Sequence, residues 1–252
     1  TRFVQDNAAS AVLNRVVGAN PSVILGTLTS NGRVFLVNPS GITIGRGAMI
    51  DVAGFAASTL NLSDADFLSG RLLFQGIGTE GKLINAGTIK AADGGQVYLV
   101  APNVENQKDA VITSPKGEVV IAAGRRVELV NSREPDIRVE YIAPAGEAVN
   151  AGSIVASSGV IGIYGTVVRN AGFVSASRAV VGDGGKIVFR AAQDALLQAG
   201  SKVEAVGDKG GTVQVLGNRV GVLDGASIDA SGDAGGGTVL VGGGFQGRNA
   251  AV

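Results

Sequence analysis

Short runs of alternating apolar and polar residues recur along most of the chain, and turns that contain glycine separate them. This pattern predicts β-strands rather than helices. One family of strands follows such turns, as in GGQVYLVA from Gly94 and GGKIVFRA from Gly184. In each strand of this family, the first residue that we expect to face the core is one of Val97, Val119, Ile161, Ile187, Val213 and Val239. They are separated by 22, 42, 26, 26 and 26 residues, and the spacing of 42 is interpreted as two turns of a coil.

A second family of strands lies between the members of the first. Most of its members open with Asn-Ala-Gly or a close relative, and they lie at 85–91, 150–157, 170–177, 198–205 and 224–231. A period of 20 to 26 residues, built from short strands and tight corners, is typical of a parallel β-solenoid. The sequence therefore predicts a narrow column in which Val, Ile, Leu and Ala side chains stack from coil to coil.

The repeated asparagines and the glycine-aspartate stretches each have a binding interpretation and a structural one. Asparagine amides at equivalent positions can hydrogen-bond from coil to coil, so we predict a structural role for them. The stretches at 182–185, 207–211 and 232–236 resemble calcium loops in composition, but they depart from the spacing of the calcium-binding nonapeptide. We therefore expect plain turns at these positions and no metal site.

One irregular stretch, residues 131–147, carries two prolines and a high density of charge. Proline has no N–H to donate to a ladder, which predicts a loop or hairpin outside the coil. Residues 64–71 and 104–109 are interpreted in the same way. A solvated excursion is favoured at 131–147, and a contact site is the alternative.

Composition excludes several classes of function. The 252 residues include 40 glycines, only 4% aromatic residues and equal numbers of acidic and basic residues, so there is no basic surface for nucleic acid. The sequence has no cysteine, which excludes a disulfide framework and a thiolate metal site, and no histidine, the commonest general base and metal ligand. It has no run of 18 apolar residues, so no segment is expected to span a membrane as a helix. Residues 1–5 contain neither a start methionine nor a signal sequence, so the chain is expected to begin inside a longer protein.

The segment VFLVNPSGITIG, residues 34–45, places a turn between two strongly apolar strands. Pro39 fixes its backbone φ angle, Gly41 permits an unusual conformation, and Ile42 returns to the core. The residue types alone therefore predict a tight turn.

This segment resembles the signature of the filamentous haemagglutinin-type domain, also called the haemagglutination activity domain, of two-partner secretion exoproteins. The resemblance extends upstream through AVLNRVVGANPSVILGTLTSNGR and downstream through 47–70 and 87–106, so it covers residues 1 to about 130. Ser40 stands where the family usually has asparagine, and both residues can hydrogen-bond locally in a turn. The family's first segment, with its capping strands, is expected to precede Thr1.

The resemblance implies a right-handed, single-stranded parallel β-helix, all-β, with small extra-helical loops or hairpins. It implies recognition of the unfolded chain by the periplasmic domains of an outer-membrane β-barrel transporter, and folding on the outer surface of a Gram-negative bacterium. The residues that match the transporter-recognition motif are Asn38, Pro39, Ser40, Gly41 and Ile42. A structural role for this turn would also impair secretion when the turn is mutated, so both interpretations stay open.

We divide the chain into a secretion-type domain at 1–130, an excursion at 131–147 and further repeats at 148–252. The expected function is a secretion and scaffold domain of a large adhesin-like exoprotein. A host-cell or carbohydrate receptor is a further expected partner, bound by the full-length protein.

Two alternatives belong to other classes of function. A filament could form by end-to-end stacking of solenoids. A polysaccharide-active enzyme would need clustered acids and bases, which the sequence does not supply, so no catalytic residue and no cofactor is predicted.

Overall fold

The computed structural model describes residues 1–129, 137–140, 146–178 and 182–242, with residues 137–140 described as backbone. Within these residues nine coils follow one another, and each contributes its first strand to a nine-stranded parallel sheet. Because neighbouring strands lie about 4.8 Å apart, the column is about 40 Å long. The described part of the chain contains no helix with the length and apolar character that a membrane crossing requires.

Each coil contains two to four strands, and coils 3 and 5 also carry the elements of an excursion. Coil 1 contains β1 (Arg2–Phe3), β2 (Ala11–Arg15) and β3 (Ser22–Ile24). Coil 2 contains β4 (Thr27–Ser30), β5 (Arg33–Val37) and β6 (Ile42–Ile44). Coil 3 contains β7 (Met49–Val52), β8 (Gly54–Ser58), β9 (Asn61–Leu62), α1 (Asp64–Ser69), β10 (Leu72–Gln75) and β11 (Leu83–Asn85). Coil 4 contains β12 (Thr88–Ala91), β13 (Gln96–Ala101) and β14 (Val104–Asn106). Coil 5 contains β15 (Val111–Thr113), β16 (Glu118–Ala123), β17 (Arg126–Leu129), β18 (Ile137–Glu140) and β19 (Glu147–Asn150). Coil 6 contains β20 (Ser153–Val155) and β21 (Val160–Asn170). Coil 7 contains β22 (Phe173–Ser175) and β23 (Lys186–Leu197). Coil 8 contains β24 (Lys202–Glu204), β25 (Gly207–Lys209), β26 (Thr212–Leu216) and β27 (Arg219–Val222). Coil 9 contains β28 (Ser227–Asp229), β29 (Gly232–Gly235) and β30 (Thr238–Val241).

The coil has three faces. The nine-stranded sheet forms the first face, and a 15-stranded sheet forms the second and third. The second and third faces are one sheet because β21 and β23 each run through the corner and pair on both sides of it. The inner surfaces of all three faces enclose one continuous aliphatic core with few aromatic side chains.

The predicted parallel β-helix is confirmed, down to the register of its strands. Each residue in the column Val97, Val119, Ile161, Ile187, Val213 and Val239 lies directly opposite the next. The interpretation of the 42-residue spacing as two coils is wrong, because Val119 pairs directly with Ile161. The additional residues leave the coil after β16 and return at β19.

Two excursions leave the column at the same corner, after β8 and after β16, and meet in a four-stranded antiparallel sheet with the order β18-β17-β10-β9. Residues 64–71, predicted as a loop or hairpin, contain α1 instead. Ser63 caps its amino end and Gly70, with a φ of 76°, ends it. The predicted excursion at 104–109 is wrong, because β14 pairs in register with both β11 and β19. Most of the predicted excursion at 131–147 lies outside the described residues.

A ladder of four buried asparagines supports the third face. The Nδ2 atoms of Asn85, Asn106 and Asn150 each donate to the Oδ1 atom of the next asparagine, at 2.8, 2.8 and 2.7 Å, and the ladder ends at Asn170. All four side chains have 0% exposure. The predicted coil-to-coil hydrogen bonding of these amides is therefore confirmed.

A column of glycines lies at the corner that precedes the second face. A Cβ atom at Gly95, Gly117, Gly159, Gly185, Gly211 or Gly237 would lie 2.0–2.3 Å from a carbonyl oxygen of the preceding coil. These glycines are required because the backbones of successive coils approach too closely for any side chain.

Candidate functional site

The predicted recognition motif forms a turn between β5 and β6. The backbone N–H of Gly41 donates to the carbonyl oxygen of Asn38 at 3.1 Å, which closes four residues into a turn. The side-chain oxygen of Asn38 accepts a hydrogen bond from the backbone N–H of Ser40 at 3.0 Å. Gly41 has a φ of 121°, in a region that residues with a Cβ atom rarely adopt. The residue types of the motif therefore match the conformation that they adopt.

The side chain of Asn38 also binds the preceding coil. Its Nδ2 atom donates to the carbonyl oxygen of Asn20 at 3.0 Å and to the Oγ atom of Ser22 at 2.8 Å. Sequence reasoning missed Asn20 and Ser22 as partners. The signal was present, because the tripeptide Asn-Pro-Ser occurs both at 20–22 and at 38–40.

The following coil closes the other side of the turn. The backbone N–H of Gly81 donates to the carbonyl oxygen of Pro39 at 2.8 Å, and that of Ile42 donates to the carbonyl oxygen of Lys82 at 3.1 Å. A Cβ atom at Gly81 would lie 2.6 Å from the carbonyl oxygen of Ser40. The turn is thus held between two neighbouring coils.

Burial divides the five residues of the motif into two groups. Asn38 has 0% exposure and Ile42 has 1%, and Gly41 is buried as well. Pro39 and Ser40 are half-buried. In the folded domain a partner can therefore reach Pro39 and Ser40. The amide of Asn38 is enclosed, and both its nitrogen and its oxygen make internal hydrogen bonds.

A second candidate site is a cavity of about 530 Å³ between the second face and the first excursion. Phe35, Phe67 and Leu72 contribute to its apolar wall, and Glu118 is the single carboxylate among its lining residues. Glycoside hydrolysis uses a pair of carboxyl groups. The lining of this cavity therefore lacks the pair of carboxyl groups that glycoside hydrolysis uses.

Glu118 is buried in this cavity beside Tyr98, whose hydroxyl donates a hydrogen bond of 2.6 Å to the carboxylate. Burial raises the pKa of the Glu118 carboxyl, and the hydrogen bond from Tyr98 opposes part of that rise. Burial, together with the neighbouring Glu118, raises the pKa of the Tyr98 hydroxyl. Sequence reasoning missed this pair. Its signal was an acidic residue at the start of the otherwise apolar strand β16.

The raised pKa of Glu118 predicts a pH dependence of stability. The unfolded chain releases the proton of the Glu118 carboxyl near the ordinary pKa of 4.5, and the folded chain releases it at a higher pH. The contribution of Glu118 to the free energy of unfolding therefore falls as the pH rises from 4.5 to the raised pKa. Glu118→Gln removes this titration, so the variant should lose less stability than the wild-type chain between pH 4 and pH 7. Urea unfolding at both pH values measures the difference, and equal losses would contradict the prediction.

Within the described residues, no three or more Asp and Glu side chains come together in an arrangement that could hold a metal ion. The Gly-Asp stretch at 207–209 forms the short parallel strand β25, which pairs with β29. The plain turns predicted at 207–211 and 232–236 are therefore wrong in part, because residues 207–209 and 232–235 form these two strands.

Comparison with known proteins identifies the family. The profile of the TPS (two-partner secretion) secretion domain matches residues 1–215, which extends beyond the region of resemblance at 1 to about 130. The crystal structure of the HMW1 secretion domain from Haemophilus influenzae superposes with a TM-score of 0.89 at 35% identity, covering 98% of this chain and 66% of that chain.

Two curated relatives are heme/hemopexin-binding proteins of Haemophilus influenzae. One is 37% identical over 130 residues, which is 48% of this chain and 14% of the relative. The other is 49% identical over 61 residues, which is 24% of this chain and 7% of the relative. The similarity thus spans a small part of each relative's length.

Family membership implies a non-enzymatic role and recognition by an outer-membrane transporter. The chain belongs to the TPS secretion domain family, the secretion domains of large exoproteins that Gram-negative bacteria deliver to the outer cell surface or the extracellular space.

Proposed function

We propose that residues 38–42 are the segment that the transporter's periplasmic domains recognise, and that recognition takes place on the unfolded chain. The observation that carries this proposal is the complete burial of Asn38, whose amide makes its hydrogen bonds inside the protein. A partner could contact this amide only before the first coils assemble. After folding, the same side chain stabilises the turn, so one residue serves recognition first and stability later.

The test must separate recognition from stability, and the chain offers a matched control. Asn38→Ala and Asn85→Ala each remove a fully buried asparagine that hydrogen-bonds to a neighbouring coil. Each change should lower the free energy of unfolding by about 1–3 kcal/mol, because buried polar partners lose their hydrogen bonds. Only Asn38 lies within the proposed recognition segment.

We expect Asn38→Ala to reduce both secretion and binding to the transporter's periplasmic domains, measured immediately after the unfolded chain is diluted from urea. Asn85→Ala should bind like the wild-type chain. If the two variants bind equally well and are secreted equally poorly, the turn acts through the fold alone and the recognition proposal is wrong.

Self-association through the solenoid ends, the filament alternative, stays a prediction. Val239 and Val241 lie in β30, the last strand of the second face that the structure describes. Unpaired strand edges with apolar side chains can pair with another chain. Electron microscopy of the purified chain would show fibres that Val239→Lys abolishes if this alternative is right, and separate rods if it is wrong.

A further inference from the structure

The two excursions make a contact that skips a coil. They leave from coil 3 and coil 5, while in coil 4 strand β13 continues directly to β14. Strands β10 and β17 nevertheless pair antiparallel over four residues, from Leu72 opposite Leu129 to Gln75 opposite Arg126. In an ordinary solenoid each repeat contacts only its neighbours. This pairing therefore joins parts of the molecule that the coil itself leaves independent.

The joined excursions cover a second hydrophobic core on the outer surface of the second face. This outer core combines residues of the column with residues of both excursions: Phe35, Val37, Ala56, Leu60, Leu62, Phe74, Tyr98, Val100, Val120, Ala122, Val127, Tyr164 and Val188. Phe74 has 0% exposure, and the rings of Phe35 and Phe67 meet edge to face at 5.2 Å. The outer core thus reaches from coil 2 to coil 7.

Polar contacts tie the excursions to each other and to the first coil. Arg71 pairs with Glu128 at 2.9 Å, which bridges the two excursions. Arg15 of coil 1 pairs with Asp64 at 2.9 Å and donates to the carbonyl oxygen of Leu62 at 2.6 Å. The first excursion is therefore attached to coils before it and, through β17, to coil 5 after it.

Without β17 the only strand that pairs with β10 in the described residues is β9. Strand β10 pairs with β9 at only two positions, Phe74 with Leu62 and Gln75 with Asn61. A two-stranded hairpin of this kind is marginally stable in water. Residues 126–129 supply four further pairs to β10, and they follow coil 4 and strand β16 of coil 5 along the chain.

We propose that the pairing of β10 with β17 is a commitment step that makes coils 1 to 5 one cooperative folding unit, to which later coils add individually. Residues before β17 then remain largely unfolded until both excursions are free to meet, and afterwards they open only together. The device would keep the exported chain unfolded until residue 129 has emerged. This inference concerns folding and does not depend on the recognition proposal.

Hydrogen exchange of the native full chain tests this proposal. Phe74→Ala removes a buried side chain of the outer core in β10. It should raise exchange about 100-fold in β5, β8, β13 and β16 alike, because these strands share one opening reaction. Phe189→Ala, an equally buried change in coil 7, should raise exchange in β21, β23 and β26 and leave β5 unchanged. Faster exchange confined to β8, β10 and β11 in Phe74→Ala would overturn the proposal.

A second variant keeps the test decisive if Phe74→Ala does not fold. Gln75 lies opposite Arg126, at a separation of Cα atoms that suits a disulfide, and the chain has no cysteine of its own. In Gln75→Cys/Arg126→Cys, oxidation should slow exchange in all of coils 1 to 5 by a common factor relative to the reduced form. Slower exchange in β10 and β17 alone would refute the commitment step.

Discussion

Gly159→Ala is expected to lower the free energy of unfolding by about 3 kcal/mol, a large effect for a single methyl group. A Cβ atom at Gly159 would lie 2.2 Å from the carbonyl oxygen of Gly117 in the preceding coil. That oxygen accepts a hydrogen bond from the backbone N–H of Val160 at 2.9 Å, so it cannot move away without breaking the ladder. The added methyl group must therefore force coils 5 and 6 apart.

Gly26→Ala is the matched control for this change. A Cβ atom at Gly26 would meet no atom within 4 Å, and its φ lies outside the left-handed region. We expect this variant to stay within about 0.5 kcal/mol of the wild-type chain. Urea unfolding of both variants measures the contrast, and similar losses would show that close coil-to-coil approach is not what requires glycine at this corner.

Asn150→Leu is expected to cost about 3 kcal/mol, because it interrupts the asparagine ladder at an internal position. The Nδ2 atom of Asn106 loses its acceptor and the Oδ1 atom of Asn170 loses its donor, and both atoms remain buried. Asn170→Leu, at the end of the ladder, leaves the Nδ2 atom of Asn150 without its acceptor. The carbonyl oxygen of Gly172 loses the Nδ2 atom of Asn170 as a donor but keeps the backbone N–H of Lys202 at 3.1 Å.

The end variant should therefore lose about half as much stability as the internal one. A leucine at position 170 would also stack on Leu197, its in-register neighbour in the next coil. Thermal or urea unfolding of Asn150→Leu and Asn170→Leu measures the two losses of stability. Equal losses would mean that these amides contribute through packing volume and that their mutual hydrogen bonds contribute little.

The turn at residues 38–42 was predictable as a turn, and its surroundings were not. Pro39 and Gly41 are residues that a tight turn needs, whatever lies around it. The hydrogen bonds from Asn38 to Asn20 and Ser22 depend on which coil lies beneath, and the repeated Asn-Pro-Ser tripeptide was the sole hint. The burial of Asn38, on which the recognition proposal depends, follows from that stacking.

The errors in the sequence interpretation arise where a local signal, such as spacing, composition or periodicity, does not distinguish between two structures. An inserted excursion and an additional coil add similar numbers of residues, so the distance between Val119 and Ile161 could not distinguish them. Residues 104–109 resemble a loop in composition because the half-buried Glu105 of β14 is followed by Lys108 and Asp109 in the turn after the strand. The helix α1 was signalled by Ser63 and Gly70, but six residues carry too little periodicity to predict a helix.

The sequence by itself determined the parallel column, because glycine corners, asparagines and β-branched residues recur at a nearly constant period, and equal periods place equivalent residues in register. The tertiary structure alone decided how the excursions meet. The pairing of β10 with β17 and the outer core beneath it join residues from coils that are not neighbours. No local pattern encodes such a contact, since its partners come together only after the intervening coil has been stacked.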